Sequence, residues 1–417
     1  YVSLSNGLLV KQTDLKNGFR VDVWKMDLPH SPYLFFIGIG DYAVVKDSYK
    51  GKEVSYYIEK AYEKVARKIY GNTPQMIAFF ESKLGVPYPW SKYAQISGRD
   101  YVSGAMENTT ATLHSDAVQQ DARELIDGNN WESTIAHELF HQWFGDYVTT
   151  ESWGNLTLNE SFANYSEYLW DEYKHGKDEA DFHASSEANG YLQQAQMQGY
   201  HDLIWYDYMD KEQMFDGHSY NKGGRILHML RNYLGDEAFF EGMKHYLQSN
   251  QFIPAEFHQL RLSFEEVSGE DLNWFFDQWF LGSGHPILDF SQKVDLEKST
   301  VKLTIKQKQN LELSPIFKLP MEIAVFDSNG KHAHKIVVEQ LEQTIELPFN
   351  GTLNCVIIDN QQMLLAKVRE EKTQEQYIFQ FYNGERYRAR RDALMNGTKG
   401  KGPQVQQLIL DALNDPY

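Results

Sequence analysis

Residues 131–167 read WESTIAHELFHQWFGDYVTTESWGNLTLNESFANYSE. Within them His137 and His141 stand four apart, and Glu138 follows the first histidine directly. In a helix, positions i and i+4 share one face a turn apart, so two imidazoles at that spacing can hold one ion. Glu138 lies about 100° further around the helix, badly placed as a third ligand and well placed to touch a water on that ion. An HExxH helix therefore reads as a zinc site carrying its own general base.

The end of the stretch supplies what the two histidines lack. Glu160 follows His141 after eighteen intervening residues, and the run Glu160 to Tyr165 looks like the start of a second helix. A carboxylate there can turn back onto the first helix and complete a His2Glu set. Three protein ligands leave the fourth position of a tetrahedral zinc to water, the arrangement of a catalytic site. One catalytic Zn2+ held by His137, His141 and Glu160 is the expectation. Without Glu160 the same pattern would be a surface helix with two solvated histidines. Asn155, Asn159 and Asn164 open Asn-x-Ser/Thr triplets beside these residues, where a glycan would block the site, and they read as unused.

At 417 residues the chain is too long for one ordinary core, so about two to four domains are expected. Hydrophobic residues make up 42%, enough for a well-packed globular protein rather than a disordered one. The net charge of −18 argues against binding a nucleic-acid backbone and suits substrates with a positive group. The single cysteine, Cys355, sits in an apolar run and reads as a buried, inert thiol. The longest apolar run, Tyr33 to Gly40, is far short of the roughly 20 residues a membrane span needs. The chain starts at Tyr1 with no Met and no charged-then-apolar leader, the pattern of a processed or trimmed, soluble chain from which any targeting signal has been removed. Composition assigns neither compartment nor oligomeric state.

Along the chain, residues 1–46 carry strand signals: Leu34 to Ile39 run between Pro32 and Gly40, and Phe19, Val21 and Val23 alternate with polar residues. Composition shifts at Asp47–Lys52. From Glu53 the apolar Tyr57, Ala61, Val65 and Ile69 recur every four residues, predicting a helix closed by Gly71. Thr73 as N-cap ahead of Pro74 predicts a second helix, ending at Gly85. Residues 86–115 turn strand-like. Beyond the opening stretch the pattern is largely helical to about residue 283. Tyr220 opens a helix with Ile226, Leu227, Met229 and Leu230 as its core face, and Asp236 caps the next. The aromatic cluster 274–280 reads as core packing, and FFDQWFLGSGHP (275–286) as a domain boundary. Val301, Leu303 and Ile305 alternate, as do Met321, Ile323 and Val325 ahead of the turn Asp327–Gly330, a pattern of short strands that fits a small sandwich. From Glu370 the pattern returns to helix, broken at NGTKGKGP (396–403). The basic run Glu385 to Arg391 reads as a solvated helix face.

A second motif lies upstream, Gly104-Ala105-Met106-Glu107-Asn108. A strand carrying a carboxylate near a metal cleft could pair its backbone with an extended peptide, while Glu107 grips a substrate ammonium. GAMEN, then HExxH, then a glutamate after eighteen residues resembles the M1 family of zinc aminopeptidases, whose catalytic domain is thermolysin-like. The family's tyrosine, in a Tyr-x-Lys-Gly setting, is matched by Tyr220-Asn221-Lys222-Gly223, sixty past Glu160. Where the family often has Trp-Leu-Asn-Glu-Gly this chain has Thr157-Leu158-Asn159-Glu160-Ser161, and where an aromatic often follows GAMEN it has Thr109. Neither departure touches a ligand position.

The resemblance implies a multidomain α+β chain: 1–46 the end of an N-terminal β domain, 47–287 a mainly helical thermolysin-like zinc peptidase domain, 288–366 a small β-sandwich, 367–417 the beginning of a C-terminal helical domain. It implies peptide substrates with a free N-terminus, bound along Gly104, Ala105 and Met106 with the ammonium on Glu107. Glu138 would be the general base and Tyr220 the donor to the oxyanion. Glu167, seven after Glu160, is placed to accept from a ligand histidine, and His218 to shape the loop before Tyr220. Alternatives are a thermolysin-like endopeptidase, which needs no Glu107, an epoxide hydrolase on the same scaffold, and a catalytically silent scaffold.

Overall fold

In the computed structural model, which describes residues 1–417, the segment from Glu53 to Gly71 is not the helix its spacing predicts. It starts as a strand, continues as a 3-10 turn over Lys60–Val65 and ends in a single helical turn. The chain divides into two compact units, Tyr1–Trp170 with Asp236–Asp271, and Asp171–Gly235 with Leu272–Tyr417.

The first unit opens with β1 (Val2–Ser5), β2 (Leu8–Asp14), β3 (Arg20–Lys25) and β4 (Ile37–Gly40), paired antiparallel as β1·β4 and β2·β3. Pro32–Leu34 forms a 3-10 turn, so the apolar run before Gly40 is strand only from Ile37. Then come β5 (Tyr42–Tyr49), β6 (Lys52–Glu59), β7 (Lys92–Gly98), β8 (Ala105–Met106) and β9 (Ala111–Ser115), one sheet in the order β5-β6-β7-β9-β8. The shift at Asp47–Lys52 is the β5–β6 hairpin, turned by Lys50 and Gly51 at positive φ, and the expected 46/47 boundary falls inside β5. β6 is central, with Val54 to Ile58 all buried. A strand covered on both faces shows no alternation, which is why its period misleads.

Helices follow as α1 (Ala66–Tyr70), α2 (Thr73–Leu84), α3 (Glu132–Phe140), α4 (Thr157–Lys174), α5 (Lys177–Gln198), α6 (Gly223–Leu234), α7 (Asp236–Ser249), α8 (Phe257–Ser268) and α9 (Asn273–Trp279). Asn72, not Thr73, is the N-cap of α2; the Thr73 hydroxyl donates to the Tyr70 carbonyl and accepts from Gln95. In the first unit a column of rings aligns α3 with α4 and α7: Phe140 on Phe144 (5.2 Å), Phe144 on Phe162 (4.2 Å) and on Tyr246 (5.8 Å). Such stacked, fully buried rings fix the two site helices against each other. β10 (Thr149–Thr150) pairs with β11 (Pro254–Ala255) beside them.

In the second unit, β12 (Ile287–Asp295), β13 (Thr300–Gln307), β14 (Leu319–Asp327), β15 (Gly330–Val338), β16 (Glu342–Pro348), β17 (Leu353–Ile357) and β18 (Lys367–Glu370) form sheets ordered β16-β13-β12-β18 and β15-β14-β17. Val301 and Leu303 from one sheet meet Ile323, Val325 and Val356 from the other in one core. α10 (Gln374–Asn383), α11 (Tyr387–Gly397) and α12 (Pro403–Ala412) follow. The basic run is not simply a solvated face. Arg386 forks onto buried Asp181 (Nε–Oδ2 2.7 Å), and Arg390 reaches Asp178 (2.7 Å) and Asp415 (2.9 Å), an ion-pair seam within this unit. Cys355 is buried, and burial pushes its thiol up to about 11. No helix is long and apolar enough to cross a membrane.

Candidate active site

α3 places His137 and Glu138 in its last turn, and His141 follows as its C-cap, still in right-handed helical conformation. The two imidazoles stand 4.9 Å apart, nearly perpendicular. Each is oriented through Nδ1. His137 Nδ1 donates to Glu167 Oε1 (2.8 Å), and His141 Nδ1 donates to the Phe144 carbonyl (2.8 Å). These bonds leave Nε2 of both rings as the inward atom. The first turn of α4 brings Glu160 to meet them, its Oε2 3.2 Å from His137 Nε2 and 3.3 Å from His141 Nε2. Two nitrogens and one oxygen on rigid helices converge on one point, and the donor set fits a divalent cation.

Charge at this point is strongly one-sided. Glu107, Glu138, Asp146 and Glu160 are all buried around the two imidazoles. Burial would lower both histidines, but hydrogen bonds to Glu160 and Glu167 hold His137 well above its ordinary value, and Glu107 with Glu160 holds His141 up at about 9. Burial would raise Glu160, but the histidines hold it well below the usual carboxylate range. Burial pushes Glu138 up to about 7 against the pull of both histidines, and raises Glu107 as well. Glu138 Oε2 is buried with no hydrogen-bond partner. Asp146 Oδ1 is unpartnered too, but Glu138 directly follows His137, and its carboxylate, near neutrality, is suited to take a proton. Four buried carboxylates are eased by protonation, as the raised Glu138 and Glu107 are, or by a cation bound among them.

GAMEN occupies the end of the five-stranded sheet. β8 pairs with β9 on one side (Ala105 with His114, Met106 with Leu113) and has no strand on the other. The turn Glu107–Thr110 joins them, closed by the Ala111 N–H on the Asn108 carbonyl (2.8 Å). Thr110 sits at φ +66, which a β-branched residue adopts only when its surroundings impose it. They do: its hydroxyl accepts from the Gly7 N–H (2.9 Å) and buried Lys92 (3.1 Å), and its carbonyl accepts from Lys92 (3.0 Å). Asn6 Nδ2 adds a bond to the Thr109 carbonyl (2.7 Å), and Lys92 also reaches the Ser5 carbonyl (3.0 Å).

Residues 69–279 match the Peptidase family M1 domain, half of the chain. The chain belongs to peptidase family M1. It is similar to tricorn protease-interacting factor F2 of Thermoplasma volcanium, 32% identical over 72% of this chain and 38% of that protein. It is also similar to probable aminopeptidase 1 of Sulfurisphaera tokodaii (29%, over 79% and 42%) and glutamyl aminopeptidase of Rattus norvegicus (27%, over 73% and 33%). The chain thus spans about two fifths or less of these relatives' length. Its fold is that of Legionella pneumophila aminopeptidase A, crystallised with aspartic acid: TM-score 0.85 over the whole chain and 50% of the other, at 20% identity.

M1 is a family of metallopeptidases, and the His137–His141–Glu160 group is where this M1 chain could hold a metal ion. Glu138 and Glu107 lie beside it, each with a carboxylate oxygen within 4.8 Å of a His141 ring nitrogen. Tyr220 belongs to the other compact unit, in a π-helical turn His218–Lys222 leading into α6. Asp216 shapes that turn, accepting from the His218 N–H (2.9 Å) and from His218 Nδ1 (2.7 Å), while His201 Nε2 reaches the same carboxylate (3.0 Å). The sequence reading did not single out Tyr33, Gln142, Asp146 or Gly145. The Tyr33 hydroxyl lies 3.4 Å from both Glu107 Oε1 and Asn159 Nδ2. Gln142 follows His141 directly and Gly145 stands four after it; Tyr33 gives no local signal.

Proposed function

We propose that this M1 chain is the catalytic part of a zinc aminopeptidase that removes the N-terminal residue from peptides. The reading is carried by the convergence of His137 Nε2, His141 Nε2 and Glu160 Oε2, with the unpartnered Glu138 Oε2 close by. Bound there, zinc would supply a Lewis acid that polarises the scissile carbonyl and acidifies water. Glu138 would take the proton from the attacking water and return it to the leaving amine, a role suited to a carboxylate near neutrality. Glu107 would bind the α-ammonium, and the fixed separation of Glu107 from the ligand histidines would leave room for one residue between amine and scissile bond. The open edge of β8 would hydrogen-bond the extended substrate along Gly104, Ala105 and Met106. Tyr220 would donate to the oxyanion of the tetrahedral adduct.

The test is a paired digestion of a peptide and its N-acetylated twin by the zinc-loaded protein, followed by mass spectrometry. Stepwise loss of N-terminal residues from the free peptide alone is expected. Internal cuts in both would make the protein an endopeptidase, and cleavage of neither would make it a silent scaffold.

A further inference from the structure

A buried primary amide can make four hydrogen bonds, two donated and two accepted. Gln142, fully buried and directly after His141, engages both its donors and its oxygen. Its Nε2 donates to the Glu107 carbonyl (2.9 Å) and to Asp146 Oδ2 (2.7 Å). Its Oε1 accepts from the Thr110 N–H (3.0 Å) and lies 3.3 Å from the Tyr88 hydroxyl, whose one proton is shared with the Lys92 carbonyl (2.9 Å). The orientation is forced, since a flipped amide would set N–H against N–H at Thr110 and oxygen against oxygen at Glu107. One side chain thus grips both ends of the Glu107–Thr110 turn, including its strained residue, from the backbone position next to a ligand histidine. Its own carbonyl is held in turn by Trp90 Nε1 (2.8 Å).

We propose that Gln142 is the positioning residue that sets the separation of Glu107 from His137 and His141, and through it the preference for a free amine. The inference rests on the reading of Glu107 as the ammonium anchor. Gln142 touches no substrate; it acts by fixing the turn that presents Glu107. Gln142→Glu keeps the shape, removes both donors and puts carboxylate oxygen against the Glu107 carbonyl and Asp146. Gln142→Met keeps the reach and removes every polar atom.

The experiment measures kcat and KM on the free and N-acetylated peptides for the zinc-loaded protein, Gln142→Glu, Gln142→Met, Glu107→Gln and the Gln142→Met/Glu107→Gln double variant. Zinc content and thermal unfolding are measured alongside. Both Gln142 variants are expected to retain zinc and fold, with KM for the free peptide rising about tenfold or more, as loss of a buried hydrogen-bonded amide implies, and kcat changing less. On the Glu107→Gln background the Gln142→Met effect on KM should vanish, because it acts through Glu107; additive effects would mark a general structural role and overturn the proposal. Unchanged free-peptide KM in both Gln142 variants, while Glu107→Gln abolishes amine preference, would overturn the proposal and keep the anchor. Unchanged amine preference in Glu107→Gln would overturn the anchor itself. Unfolding of both Gln142 variants would also overturn the proposal, making the amide a requirement of the fold.

Discussion

Gly145, four residues after His141, is the position where the smallest change should reach the ligand set. It lies at φ +139, and a Cβ built there would meet His141 Nδ1 at 3.1 Å, the His141 carbonyl at 3.3 Å and Asn159 Nδ2 at 3.6 Å. Gly145→Ala therefore imposes two penalties. The backbone region costs an L-residue about 1–3 kcal/mol. The methyl also presses on the ring nitrogen that donates to the Phe144 carbonyl, so the imidazole must shift by a few tenths of an ångström. Loss of such an orienting bond typically lowers metal affinity about 10–100-fold. Gly128→Ala separates the two, because Gly128 lies at φ +118 with nothing within 4 Å of its Cβ position. Thermal unfolding of the zinc-free proteins should show both variants destabilised by about 1–3 kcal/mol. Zinc titration against a competing chelator should show weakened binding in Gly145→Ala alone. Zinc affinity equal to that of the unaltered protein in Gly145→Ala, or equal weakening in both, would refute the argument.

Glu138→Gln should bind zinc normally and lose about 10²–10⁴ in turnover, read by metal analysis and peptide assay; retained turnover would remove it as the base. Tyr220→Phe should lower kcat by about 10²–10³ with little change in KM, and an effect confined to KM would show that the hydroxyl does not act in the transition state. Zinc affinity should climb with pH through neutrality, because His141, held up at about 9, and His137, held well above its ordinary value, must each lose a proton to ligate. The same raised values mean that these ion pairs stabilise the zinc-free protein fully below about 6.5, with the benefit lost as pH rises through 9. Calorimetry in buffers of different ionisation heat should find about two protons released per zinc at pH 7; fewer than one would contradict the assignment.

The convergence of His137, His141 and Glu160 was legible because its information is local: a one-turn spacing in α3 and a second helix start at Glu160. The sandwich was legible for the same reason, since half-buried strands such as β13 and β14 alternate. β6 was misread because a strand buried on both faces has no polar side, and its Tyr57 happens to start a four-residue rhythm that runs into the following turn. Thr73 looked like a cap by identity, yet its hydroxyl is taken by Tyr70 and Gln95. Arg386 and Arg390 look solvated in sequence because their partners Asp181 and Asp178 lie about two hundred residues away. Tyr33 beside Glu107, across 74 residues, is invisible for that reason too.

The stitching of Asn6 and Gly7 onto Thr109 and Thr110 spans 103 residues at each bond. Such long closures come late in folding, after the local helices have formed. On the ribosome, Gly7 emerges on the order of ten seconds before Gln142, at ordinary rates of synthesis. Through that interval β2 can pair with β3 and β4 with β1, while Asn6 and Gly7 wait for their partners on the turn. The turn that carries Glu107 has all its holds only once both Asn6–Gly7 and Gln142 are in place. The nascent protein therefore passes through a stage with the β8 edge unbuilt, when a chaperone has most to hold.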